Sequence, residues 1–114
     1  MEMPEDPVST NPDHYSVLFE NERVRVLEYR DEVGEVTTPH RHPDSVMVTL
    51  SAFSRRLSTN DRVFDTALDA GEARWLPAQS HSGENTGETP THAIFVELKG
   101  PPLPPPSSAP LGPR

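Results

Sequence analysis

Short apolar runs with a period of two, separated by turn residues, leave the middle of this chain little room for anything but antiparallel sheet. Val24-Arg25-Val26, Val46-Met47-Val48-Thr49-Leu50 and Ala93-Ile94-Phe95-Val96 before Glu97-Leu98 are rich in β-branched side chains. Such side chains suit a half-buried pleated surface. Turn signals fall between the runs at Glu20-Asn21-Glu22, Val33-Gly34-Glu35, Ser58-Thr59-Asn60-Asp61, Asp69-Ala70-Gly71 and Gly83 to Pro90. Val63, Phe64, Ala67 and Leu68 would also suit a short helical face, but Asn60-Asp61 and Gly71 bound that segment at strand length. The expected fold class is all-β, a barrel or a sandwich.

The ends differ from the middle. Residues 1–14 carry three prolines among acidic and small polar side chains, which suggests a flexible N-terminal arm. The stretch PPLPPPSSAPLGPR, residues 101–114, has proline at half its positions, which forbids helix and central strand. It reads as a disordered tail whose removal would hardly change stability, or as a docking ligand for a proline-recognising domain. One folded domain over residues 15–100 is expected, because 114 residues suffice for one hydrophobic core.

Charge and composition narrow the function. The formal net charge is −8 and the only basic doublet is Arg55-Arg56, read as two solvated residues on or near a strand. Nucleic acid and anionic membrane are therefore not expected partners. No cysteine is present, so a metal would have to rest on His, Asp, Glu or Asn. The acidic N-terminus has neither a basic nor an apolar leader segment, and a cytoplasmic location is expected. No Gly-rich phosphate loop, dinucleotide fingerprint or serine nucleophile motif occurs, which argues against acyl and phosphoryl transfer.

Four of the five histidines lie between positions 40 and 92, two of them in Thr38-Pro39-His40-Arg41-His42-Pro43. On a strand, residues i and i+2 share a face, so both imidazoles can reach one ion while Arg41 points away. His81, after the loop-like Pro77-Ala78-Gln79-Ser80, is the best third ligand. His92 shares parity with Ile94, Val96 and Leu98 and reads as a core or rim histidine satisfied by a hydrogen bond; His14 reads as solvated. Asp44, between Pro43 and Ser45, reads as a turn residue rather than a ligand. Trp75 and Phe95 read as core or pocket wall.

Gly34-x5-His40-x-His42, followed by Gly71-x5-Pro77 and His81-x3-Asn85, resembles the two ordered motifs of the cupin family over about residues 15–100. The resemblance implies a conical antiparallel β-barrel (double-stranded β-helix, jelly-roll), a homodimer, and one divalent metal ion near the barrel mouth on His40, His42 and His81. Two positions depart from the family pattern. Val46 stands where a glutamate ligand is frequent, and Gln79 replaces a glycine. Val46 is expected to face the ion, with Val48, Trp75, Asn85 and Phe95 also lining the pocket. Loss of the carboxylate leaves three neutral donors and a site charge near +2, which resembles the three-histidine cupins, among them non-haem iron dioxygenases.

The expected function is a metal-dependent, dioxygenase-like enzyme with Fe(II) favoured over Zn, Ni, Mn or Cu, acting on a small-molecule substrate, anionic in the leading reading. The alternatives are a cupin isomerase, epimerase or lyase, and a non-catalytic module that binds a small ligand or metal.

Overall fold

A computed structural model describes residues 5–101 and 111–113 of the chain. It consists of a four-residue helix, α1 (Pro7–Thr10), and nine strands: β1 (Tyr15–Glu20), β2 (Val24–Asp31), β3 (His40–His42), β4 (Ser45–Thr49), β5 (Phe53–Ser58), β6 (Val63–Leu68), β7 (Ala73–Leu76), β8 (Gln79–Asn85) and β9 (Thr91–Leu98). The five-stranded sheet runs β1-β2-β9-β4-β7, and the four-stranded sheet β3-β8-β5-β6. Every ladder within them is antiparallel. This is a double-stranded β-helix whose two sheets remain separate ladders rather than closing into one ring. No helix among the described residues is long and apolar enough to cross a membrane.

The period-two reading of the sequence survives, and it decides which side chains face in. On β9, Thr91, Ala93, Phe95 and Glu97 are buried while His92, Ile94 and Val96 are half-buried on the other face. On β2 the inward set is Arg25, Leu27, Tyr29 and Asp31, registered opposite Glu97, Phe95, Ala93 and Thr91. Leu27, Tyr29, Met47, Phe53, Leu68, Leu76, Ala93 and Phe95 join in one core between the sheets. The ambiguous segment 63–68 is strand β6, paired along its whole length with β5. Gly34 and Gly71, the first glycine of each motif, sit in turns at φ 86° and 81°, a left-handed backbone that favours glycine.

Residues 5–14, assigned from sequence to a flexible arm, pack against the sheets instead. Asp6 caps α1 by accepting from the Val8 N–H at 3.1 Å, with Pro7 in the first turn, where its missing N–H costs nothing. Arg25 ties Asp6 to Glu97 on β9. The Asn11 side chain accepts from the Thr38 N–H at 2.9 Å. A polar segment thus orders itself through hydrogen bonds and ion pairs, which composition does not reveal. In the proline-rich tail, residues 102–110 and 114 lie outside the described residues. Leu111 is buried, and Gly112 approaches Leu57 and Phe64 so closely that a Cβ there would meet Leu57 Cδ1 at 2.8 Å.

Candidate metal centre

His40 and His42 occupy alternate positions of β3 and are both buried, while Arg41 between them is exposed. His81 on β8 lies directly across the ladder from His40, so the antiparallel register delivers the third imidazole. One ring nitrogen from each histidine lies within 4.8 Å of the other two. The strand spacing and the third position expected from sequence are both realised.

Hydrogen bonds orient the rings. The His40 Nδ1–H donates to the Thr38 carbonyl at 2.7 Å, and the His81 Nδ1–H donates to Gln79 Oε1 at 2.8 Å. Both bonds leave Nε2 as the free lone pair, as a metal-binding imidazole requires. His42 Nδ1 faces Glu97 Oε2 at 4.0 Å, and these two buried atoms have no other partner. Phe95 stacks on His42 with centroids 5.1 Å apart and planes 17° apart. Burial holds all three imidazoles below the ordinary histidine range, His81 down to about 3. They are neutral donors at pH 7, and their convergence, with one carboxylate oxygen of Glu97 left without a partner behind His42, suits a divalent cation.

Tyr15, the first residue of β1, enters the cluster from the opposite sheet. Its hydroxyl is 3.4 Å from Nε2 of both His40 and His42. Burial, with Tyr29 beside it, raises its phenol well above the ordinary range. Glu97 lies behind His42, and burial pushes its carboxyl up against the pull of Arg25.

Next to the histidines lies a cavity of about 40 Å³, lined mainly by apolar side chains, among them Met47, Phe53, Leu76 and Phe95, together with Tyr15, Arg55 and Pro113. Arg55, read from sequence as solvated, is buried. It pairs with Asp31 and donates to Thr91 Oγ1 at 3.1 Å and Tyr29 Oη at 3.1 Å. Only Arg56 follows the solvated reading, paired with Asp65 at 2.8 Å. The doublet splits because alternation on β5 turns Phe53, Arg55 and Leu57 inward. Burial works to raise the Asp31 carboxyl, but Arg55, Tyr29 and Asn85 together hold it below the ordinary carboxylate range.

Of the expected pocket residues, Phe95 lines the cavity and the other four do not. Val46 and Val48 lie on the outer face of the five-stranded sheet, Val46 registered against Trp75 and Val96. Ser45, Met47 and Thr49 are the inward residues of β4, so the position facing the cavity is Met47, one residue beyond the expected one. Trp75 belongs to a separate surface pocket with Pro43, Asp44 and Leu98. Asn85 is buried but structural, donating to Asp31 Oδ1 at 3.0 Å and to the Thr89 carbonyl at 2.9 Å.

His92 is satisfied by Glu28 at 2.7 Å on the outer face. His14 meets the Arg30 carbonyl at 2.9 Å. Asp44 accepts from the Ala78 N–H at 2.9 Å, which ties the β7–β8 loop down as a turn residue should.

Sequence reasoning missed Tyr15, Gln79, Arg55 and Glu97 as parts of the site. For Gln79 a signal existed, since it sits two residues before His81 on the same strand face. The departure from the family glycine is what supplies the acceptor for His81. Glu97 shares parity with Phe95 and interrupts the apolar run from Ala93 to Leu98, which marks a charge directed into the core.

No protein-family model matches the sequence, and no curated protein matches it. Solved structures do. A cupin domain from Bordetella pertussis Tohama I is 27% identical with a TM-score of 0.71, covering 88% of this chain and 99% of that one. An uncharacterized conserved protein with a double-stranded β-helix domain from Klebsiella pneumoniae is 25% identical with a TM-score of 0.59, covering 74% of each chain. A cupin family protein from Methanocaldococcus jannaschii shares the fold at 14% identity and a TM-score of 0.60, covering 74% of this chain and 77% of that one.

Fold and histidine cluster together define the class: this chain has the double-stranded β-helix fold of cupin proteins, with three buried histidines grouped as a metal site would need. Among the described residues the cluster holds three histidines and no carboxylate.

Proposed function

We propose that the chain is a metal-dependent enzyme acting on a small organic molecule, with oxidation by dioxygen as the leading reaction. One observation carries the reading: three neutral imidazoles, each with Nδ1 turned toward an acceptor, converge beside a buried apolar cavity. An ion held there, Fe(II) in the leading reading, supplies Lewis acidity and one-electron chemistry toward dioxygen. His40, His42 and His81 would hold it, while Thr38 and Gln79 keep two of the rings aimed and Phe95 stacks on the third. Met47, Leu76 and Phe95 form the apolar part of the cavity wall. No carboxylate joins the cluster among the described residues, so the site stays positively charged. It favours anionic chelating substrates, such as a carboxylate with an adjacent hydroxyl, keto or thiol group.

A non-catalytic metal or ligand module is the second reading, and the cavity favours it. About 40 Å³ with Pro113 in its wall holds a few water-sized molecules at most. Oxygen uptake separates the two. Untagged protein reconstituted with Fe(II) is expected to hold one metal per chain and to consume oxygen with a carboxylate substrate. A binding module would be stabilised by the same ligand without turnover, and an isomerase, epimerase or lyase would turn over without oxygen. His42→Ala and His81→Ala should each lose the metal, whereas His14→Ala and His92→Ala should keep it. Metal retained in both of the first two variants would sink the site.

A further inference from the structure

The hydrogen-bond inventory around the histidines does not close. His40 Nδ1 and His81 Nδ1 are committed as donors to Thr38 and Gln79, so Nε2 of each is an acceptor. His42 Nδ1 lies 4.0 Å from Glu97 Oε2, too far for a hydrogen bond, but a proton on Nδ1 faces the carboxylate where a lone pair would be repelled, which favours the tautomer whose Nε2 is an acceptor as well. Tyr15 Oη stands 3.4 Å from Nε2 of His40 and of His42, yet a phenol carries one proton and can serve only one of them. At least one buried lone pair is left facing the Tyr15 oxygen, an arrangement that costs free energy unless a cation lies between them.

The two distances from Tyr15 fit such a cation. Donors bound at about 2.0–2.1 Å to a tetrahedral ion are separated by edges of about 3.3 Å. The two 3.4 Å separations from Tyr15 Oη match that edge. A rival anionic oxygen is lacking among the described residues. Glu97 lies behind His42 on its Nδ1 side and is bound to Arg25, and Asp31 is bound to Arg55.

We infer that Tyr15 is the fourth protein donor of the metal centre, binding through its phenolate oxygen with the proton released to solvent. The inference rests on the three-histidine reading above. It moves the anionic ligand from β4, where sequence comparison looked for it, to the first residue of β1 on the same sheet.

The chain has only two tyrosines, which makes the test clean. The full chain is loaded with one equivalent of Fe(II) without oxygen and then oxidised to Fe(III) with ferricyanide. Wild type is expected to show a visible phenolate-to-iron charge-transfer band with matching tyrosinate modes in resonance Raman. Tyr29→Phe should keep the band, which would assign it to Tyr15 even if Tyr15→Phe failed to fold. Tyr15→Phe should lose the band and bind metal at least tenfold more weakly. One bound iron without a phenolate band in wild type, or a band that survives Tyr15→Phe, overturns the role of Tyr15 and leaves the three-histidine site standing. Wild type that binds no metal overturns both.

Discussion

At the scale of single residues, parity within a strand decides function. Val46 and Met47 are neighbours, yet the first faces outward and the second lines the cavity. Val46→Glu is therefore expected to leave metal affinity within about twofold, by competition with a chromophoric chelator. Gln79→Ala removes the acceptor that orients His81 and should weaken metal binding by about 10- to 100-fold. Arg55 and Asp31 form a buried pair, and truncating either strands the other charge. Asp31→Ala or Arg55→Ala should cost about 3–5 kcal/mol in urea unfolding.

The imidazoles add a pH dependence to the metal-free protein. Their folded-state values lie below the unfolded value near 6.5, so the unfolded chain binds protons that the folded chain refuses. Stability is full above that value and falls as pH drops through it, by up to about 1.4 kcal/mol per pH unit for each imidazole. Urea midpoints at pH 7.5 and 5.5 measure it; equal midpoints would contradict it.

At the scale of elements, the segments that looked dispensable hold the site. Strand β3 is three residues long, too short to fix two imidazoles unaided. It is braced by β8 on one side and by a bridge from Glu5 on the other. The Gly112 N–H donates to Gln79 Oε1 at 2.9 Å, the same oxygen that orients His81, and Pro113 forms part of the cavity wall. Leu111 is 5% exposed, and losing such burial costs about 2 kcal/mol. A chain ending at residue 110 should be destabilised by about that amount, contrary to the small effect expected from composition. It should also release metal to a chelator faster than the full chain, because the cavity wall is open. Unchanged stability and release would show that these residues make no net contribution.

At the scale of the whole molecule, metal binding should be visible as folding stability, since the three ligands are brought together only by tertiary structure. Free metal at 100 times its Kd adds about 2.7 kcal/mol. For a domain of this size that is a rise in Tm of about 10–20 °C. Scanning calorimetry with and without Fe(II) or Zn should show the rise in wild type and its absence in His42→Ala. Wild type that melts at one temperature in both would exclude a tight site.

The all-β class, the turns, the three histidines and the motif order were legible in the amino acids alone, because these depend on local periodicity, backbone chemistry and spacing. His40 and His42 share a face simply because they are two apart on a strand. What surrounds them follows from contacts between distant segments. Tyr15 comes from 25 residues earlier, and Glu97 and Gly112 come from later in the chain. Nothing local to any of these marks it as a neighbour of the histidines. The same holds for Arg55, whose partner Asp31 neutralises it inside the core, so that a doublet that is solvated by composition is split between interior and surface. Periodicity predicts which way a side chain points. Which groups meet it there depends on strand order and register, and these are set by contacts between residues far apart in sequence.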